Sequence, residues 1–413
     1  MAGFFREKDE LTCDGVPLAE IAQTTGTPVY VYSRAAIEES FLRFDTAFAR
    51  VPHLVCYAAK ANSSLAILKL LASLGAGADV VSGGELRACL ASGFPAGRIV
   101  FSGVGKTDDE IRDGVAAGLL AFNAESEREI EKIDTEAGRQ GKPARVALRV
   151  NPDIDAKTHP YISTGLAHNK FGVDIGRAKE IFDRSRRFQN IAMTGVQAHI
   201  GSQILETAPL EETARELAAL ATELASRGFP LETLDIGGGL GVAGKGERTL
   251  LPREYAAAVL PLLAGLPFRI LIEPGRAILA QAGVLVTRVL YLKENRGRKF
   301  VVADAGMNDL IRPPLYGAIH PIESVAAPRG HTITADVVGP ICETSDFLAR
   351  DMEIPEPEEG DLLAVRDAGA YGFAMASNYN FRPRAAEVLV WRGSFRTIRR
   401  RETFEDLVGL ETE

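Results

Sequence analysis

Between residues 54 and 273 short apolar runs alternate with stretches of helical period. The runs are Leu54–Ala59, Ala78–Val81, Ile99–Phe101, Leu119–Phe122, Val146–Val150, Thr194–Ala198, Thr233–Ile236 and Ile270–Ile272. Amphipathic stretches such as Ser64–Leu74, Asp108–Ala117, Glu125–Gln140 and Leu210–Arg227 lie between them. Strands alternating with helices predict right-handed βαβ units and a parallel sheet. Eight runs are the number that closes a (β/α)8 barrel, although a doubly wound open sheet has the same alternation.

After residue 283 the texture changes. Val284–Leu292, Phe300–Ala303, Ile333–Val338 and Leu362–Arg366 follow one another without long helices, separated by turn signals such as Glu294-Asn295-Arg296-Gly297 and Pro328-Arg329-Gly330. This predicts a second, all-β domain of sandwich or barrel type. The acidic segment Asp351–Asp361 is expected to be a solvated loop. Residues 1–33 look extended, and Val29-Tyr30-Val31-Tyr32 is expected to pair with the C-terminal sheet. The expected division is therefore a barrel over 34–283 and a β domain of 1–33 plus 284–413. The connection from Asn151 to Asp174 is too long for a turn alone, and loops of that length are usually functional or disordered.

Composition narrows the class. The 413 residues are 46% hydrophobic and 25% charged, with a net charge of −8, which suits a soluble protein of two domains and argues against a nucleic-acid surface. No apolar run is long enough to span a bilayer. Cys13, Cys56, Cys89 and Cys342 form no CxxC pair, so neither a zinc site nor a disulfide framework is expected. The N-terminus has no signal-peptide pattern, which with the cysteine usage predicts a cytoplasmic location.

The candidate chemistry gathers where the apolar runs end. Lys60 closes the first. A lysine at the mouth of a buried strand loses hydration, which lowers its pKa and frees an amine able to form a Schiff base with a carbonyl substrate or with pyridoxal phosphate. Taken alone, Lys60 is more simply a strand-end lysine reaching water. The seventh run ends in Gly237-Gly238-Gly239, where backbone N–H groups approach an anion without a Cβ in the way. Gly239–Gly244 also fits GxGxxG, and Gly239–Lys245 fits most of a P-loop, but Gly246 stands where that motif needs Ser or Thr. The eighth run ends in Glu273-Pro274-Gly275-Arg276, a carboxylate able to hold a pyridine nitrogen protonated beside a guanidinium able to clamp a carboxylate; a surface ion pair is the plainer alternative. His199 and Ser202 follow the sixth run, and Asp79 and Glu85 flank the second as candidate supporting carboxylates, although helix capping by Ser82 explains that stretch nearly as well. In the β domain, Cys342 and Glu343 sit in a Gly-Pro loop, where a thiol beside carboxylates can donate a proton. Arg312, Tyr316 and Tyr371 mark further loops.

Together these segments resemble the meso-diaminopimelate decarboxylase family of fold-type III, alanine-racemase-like pyridoxal-phosphate enzymes. The likeness runs from Thr27-Pro28-Val29-Tyr30-Val31-Tyr32 to Tyr371-Gly372, with the motifs in the family's order. It implies that Lys60 carries the cofactor and that His199 stacks on its ring. Ser202 and Gly237–Gly239 would meet its phosphate, with Gly275 and Arg276 nearby, and Glu273 would partner the pyridine nitrogen. Arg276, Arg312 and Tyr316 would bind substrate, and Tyr371 would touch cofactor and substrate. Cys342 would be the general acid and Glu343 the partner of the distal ammonium, both supplied by the other subunit of a head-to-tail homodimer. Thr344 departs from the family's usual serine but keeps the hydroxyl. The implied reaction releases carbon dioxide and L-lysine. Decarboxylation of ornithine, arginine or carboxynorspermidine, racemisation, and cofactor binding without catalysis are the rival readings.

Overall fold

The computed structural model describes residues 3–156, 158–162, 164–166, 169–242, 244 and 248–412. Contacts divide the chain into two compact units, one of residues 41–242 and 248–275 and the other of residues 3–40, 244 and 276–412.

The first unit is a closed barrel. Its strands are β1 (His53–Ala58), β2 (Gly77–Val80), β3 (Ile99–Phe101), β4 (Ala121–Ala124), β5 (Ala144–Asn151), β6 (Ile191–Gln197), β7 (Thr233–Asp235) and β8 (Arg269–Ile272). Each pairs in parallel with the next, β4 pairs with β5, and β8 returns to β1, which removes both sheet edges. The open-sheet alternative is thereby excluded. All eight apolar runs become strands within a few residues of the expected limits. Inside, Leu54, Cys56, Val100, Ala121, Ala147 and Leu271 form one apolar cluster. Short polar side chains start the outer helices: Ser82, Thr107, Ser126 and Asp174 each accept the N–H of the residue three further on. The same βα turns place the C-terminal ends of the strands at one mouth, where the candidate residues gather.

The second unit is built on one long strand, Gly283–Asn295. It pairs antiparallel with Val29–Ser33, Leu362–Val365 and Arg298–Ala303 along its length. Val29–Ser33 continues in parallel to Ala386–Trp391, which pairs with Ser394–Arg399. Arg298–Ala303 continues in parallel to Thr332–Val338, then to Phe347–Pro355. The expected pairing of the N-terminal segment with the C-terminal sheet is thus present, with Val29, Val31, Val284, Val286 and Val388 in one core. Two expectations are corrected. Leu18–Thr25 is a helix within the stretch read as extended. The segment read as a solvated loop from Asp351 begins as strand, because Phe347–Pro355 pairs along Thr332–Val338 and buries Leu348 and Ile354 while Arg350, Asp351 and Glu353 stay exposed.

Candidate active site

At the barrel mouth the chain turns sharply after β1, and Lys60 sits in a single 3-10 turn, Ala59–Ala61. Gly275 lies against that turn: a Cβ there would come within 3.1 Å of the Cβ atoms of Ala58 and Ala61, so glycine lets the end of β8 close on the lysine. Lys60 Nζ donates to Asp79 Oδ2 at 2.6 Å; the lysine side chain is 32% exposed and the aspartate fully buried. Lys60 is therefore open to the mouth while its charge is held from below. Glu85 accepts the Val81 N–H and Ser82 caps its helix, so the capping explanation holds there too.

Glu273 is only 4% exposed. Burial, then the charges of Asp235 and Asp79, push its carboxyl well above the usual range, against the pull of Lys60. Its oxygens accept from Gln197 Nε2 at 3.2 Å and Asn123 Nδ2 at 3.3 Å. His199, at the end of β6, accepts the Gly238 N–H on Nδ1 at 3.1 Å, which leaves the ring proton on Nε2. Burial, Lys60 and Arg149 push this imidazole well below its ordinary value, so it is neutral at pH 7. Gly237 and Gly239 have φ of 69° and 103°, and a Cβ on any of the three glycines would strike a backbone oxygen, of Ala198, Glu273 and Gly201 respectively. The Gly237 N–H is bonded to Asp235 Oδ1. The N–H of Ser202 is bonded to Ile162 O. Lys245 and Gly246 of the P-loop-like stretch lie outside the described residues.

In the second unit, Arg276 and Arg312 are both buried, and the Arg276 guanidinium lies 4.8 Å from the Tyr371 ring centre. Tyr371 holds φ at 56°, a left-handed conformation uncommon for a bulky residue. Burial, then repulsion from Arg276, lower Arg312 to about 10. Tyr316 lies beneath Arg312 at 5.5 Å. Cys342 and Glu343 are exposed, and the Cys342 N–H is fixed by Asn380 Oδ1 at 2.8 Å. Glu343 accepts from Tyr379 Oη at 2.6 Å and Ser345 Oγ at 2.7 Å, which lowers its pKa.

A sequence profile described as "Pyridoxal-dependent decarboxylase, pyridoxal binding domain" matches residues 34–280. The diaminopimelate decarboxylase of Aquifex aeolicus is 49% identical over 400 residues, 97% of this chain and 95% of that protein. The chain belongs to the diaminopimelate decarboxylase family of pyridoxal-dependent decarboxylases. Solved structures of family members agree. The Helicobacter pylori enzyme complexed with L-lysine has a TM-score of 0.92 at 45% identity, covering 95% of this chain and 98% of that one. The M. jannaschii enzyme in co-complex with L-lysine has a TM-score of 0.95 at 38% identity, covering 100% and 99%.

Pyridoxal phosphate is the cofactor, and the barrel mouth suits it. Among the described residues, three buried carboxyls, Asp79, Asp235 and Glu273, gather beside Lys60, and Asp79 Oδ1 and Asp235 Oδ2 are buried without a well-formed hydrogen bond. A ring with a protonated nitrogen supplies positive charge where this excess of acid lies. Sequence reasoning missed Asn123, Gln197 and Asp235, which surround Glu273, and the buried Arg149–Glu125 pair at 2.7 Å, whose guanidinium also reaches His199 O. The available signal was a polar residue ending an apolar strand: Asn123 in β4, Gln197 in β6 and Asp235 in β7 all occupy such places.

Proposed function

We propose that this enzyme converts meso-2,6-diaminopimelate to L-lysine and carbon dioxide, the last step of lysine biosynthesis, with its labour divided between two domains. Residues 34–283 form the cofactor-binding barrel domain. Residues 1–33 and 284–413 form the β domain, which contributes to the active site across a homodimer interface. The observation that carries this reading is Lys60, half-open at the barrel mouth and held at 2.6 Å by buried Asp79.

Pyridoxal phosphate, when bound, supplies an electron sink for the pair left behind by carbon dioxide. Lys60 would hold the cofactor through its amine and release it to the substrate amine. Glu273 would partner the ring nitrogen, and neutral His199 would offer an uncharged ring for stacking. Ser202, Gly237, Gly238, Gly239 and Gly275 would hold the phosphate, with Arg276. Burial, then the charge of Arg276, lower the Arg312 pKa, and a substrate carboxylate bound by these arginines would offset that charge. Tyr316 and Tyr371 shape the substrate pocket. Glu343 of the partner subunit meets the distal ammonium, and Cys342 of the partner subunit returns a proton to the substrate carbon. Ornithine, lysine and arginine lack the distal carboxylate, and binding them would leave a guanidinium unpaired. The enzyme acts in the cytoplasm and uses no nucleic-acid or membrane partner. Among the described residues no helix is long and apolar enough to cross a membrane.

Carbon dioxide release from meso-diaminopimelate against ornithine, lysine and arginine tests the assignment. Diaminopimelate should turn over fastest; faster turnover of any of the other three overturns it. Borohydride should fix the cofactor's visible absorbance on Lys60, and a label recovered on another lysine would remove Lys60 from its role.

A further inference from the structure

Asp235 has no part in that division of labour, yet it is 1% exposed and sits one layer below Glu273 inside the barrel. The register explains the placement. Asp235 pairs with Leu271, and the Glu273 N–H reaches Gly237 O at 2.8 Å, so the two carboxyls come from adjacent strands on the inward face. Asp235 Oδ1 accepts the Gly237 N–H at 2.9 Å. Oδ2 faces the Glu273 carboxyl and the Asn123 amide and receives no well-formed hydrogen bond. Burial pushes both carboxyls up, Asp235 to about 6. Two adjacent carboxyls in a dry interior titrate as a pair, and in the cofactor-free protein they share one proton.

Cofactor binding changes the balance of charge around this pair. In the cofactor-free protein Lys60 offsets Asp79 at 2.6 Å, and on carrying the cofactor it is no more available to Asp235. Arg149 is committed to Glu125 at 2.7 Å, and His199 is neutral. The other titratable groups facing the pair, Cys56 and Tyr255, are held in their neutral forms by burial and by these same carboxyls. A protonated ring nitrogen offsets Glu273, whose oxygens already accept two amide N–H groups. Among the described residues this leaves no cation for Asp235. Two adjacent carboxylates in a dry interior cannot both stay ionised unless a second positive charge compensates them.

We propose that Asp235 takes over the shared proton when the cofactor's ring nitrogen meets Glu273, and holds it as a hydrogen-bond donor to that carboxylate. The proton moves from one carboxyl to the other and none leaves the pair; the ring nitrogen's own proton comes from solvent. Asp235 is thus a positioning residue, acting through Glu273. The inference rests on the reading that pyridoxal phosphate binds here with Glu273 at the ring nitrogen.

The test is infrared spectroscopy of the cofactor-loaded protein at neutral pH, paired with NMR of an isotope-labelled ring nitrogen. Asp309, pushed up to about 7 in the β domain, also contributes a protonated carboxyl, so Asp309→Asn serves as the control. A protonated-carboxyl band should persist in Asp309→Asn and disappear when Asp235→Asn is added to that variant, while the ring nitrogen stays protonated in both. The amide of Asn imitates the proposed donor, so the ring-nitrogen shift should be independent of pH in that variant. If Asp235→Asn does not fold, isotope-labelled aspartate in Asp309→Asn must shift the band. Absence of the band from Asp309→Asn, its survival in the double variant, or an unprotonated ring nitrogen in the double variant overturns the proposal. Failure of the wild type to bind cofactor or to release carbon dioxide would instead overturn the functional reading, so the two failures are distinct.

Discussion

The barrel mouth and the β domain place acidic groups in opposite settings. Asp79, Asp235 and Glu273 are 0–4% exposed and meet amides, backbone N–H groups and one lysine. Glu343 stands in the open beside Cys342, its carboxylate accepting from Tyr379 and Ser345. The difference separates two ways of using a carboxyl. Buried, its protonation is set by desolvation and neighbours before any ligand arrives. Exposed, it is strongly hydrated and gains selectivity only when something covers it. This is why the proposed roles of Cys342 and Glu343 require a partner subunit and that of Lys60 does not.

Substitutions can break or sharpen that contrast. The largest effect is expected at Lys60: Lys60→Ala should lower kcat by about 10³-fold or more, within the range for lost acid–base function. A wild-type rate would contradict the barrel half of the contrast. Next comes Asp309, the β domain's own buried carboxyl. Its pKa is raised from 3.8 to about 7 by burial, so the folded state holds the proton more tightly. Its stabilising contribution is complete below the unfolded value and is lost as pH rises through about 7. Asp309→Asn should therefore unfold at higher urea than wild type at alkaline pH, by up to about 4 kcal/mol, and converge with it near pH 4. Trp391 is the chain's single tryptophan and lies in the β domain, so its fluorescence reports this unfolding. A pH-independent difference would show that Asp309 does not titrate in this range.

Cys342→Ala should reduce kcat by about 10²-fold while leaving the absorbance of bound cofactor in place. An unchanged kcat would remove Cys342 from proton donation. Glu343→Gln should lower kcat/KM for diaminopimelate by about 10- to 100-fold, as expected for losing a hydrogen bond to a charged group. The smallest effect is expected at Tyr379→Phe, which leaves Glu343 charged but less firmly oriented: about 3- to 10-fold in kcat/KM. If Tyr379→Phe matched Glu343→Gln, the exposed carboxylate would depend on orientation as heavily as the buried ones do.

The barrel was legible because each of its strands is an apolar run bounded by an amphipathic helix. Lys60, Gly237–Gly239 and Glu273 were legible because each ends such a run. Phe347–Pro355 was not, since an outer strand with Arg350, Asp351 and Glu353 on its exposed positions has the composition of a loop. Ala386–Trp391 escaped because buried Glu387 interrupts it; that residue is satisfied by Tyr32 and Arg399, hundreds of positions away in one case. The support around Glu273 was invisible for the same reason. Asn123 and Glu273 are 150 residues apart, and only closure of the barrel makes them neighbours.

The strand Val29–Ser33 lies between Gly283–Asn295 and Ala386–Trp391, although it is made near the start of the chain. During translation it leaves the ribosome with neither neighbour yet in existence. At ordinary elongation rates its second partner follows after roughly 20 to 70 seconds. The barrel's own strands all emerge within that interval. The order of synthesis thus favours a nascent chain that completes its barrel while a ribbon of valines and tyrosines, Val29-Tyr30-Val31-Tyr32, waits uncovered. That ribbon is where a chaperone would have most to protect.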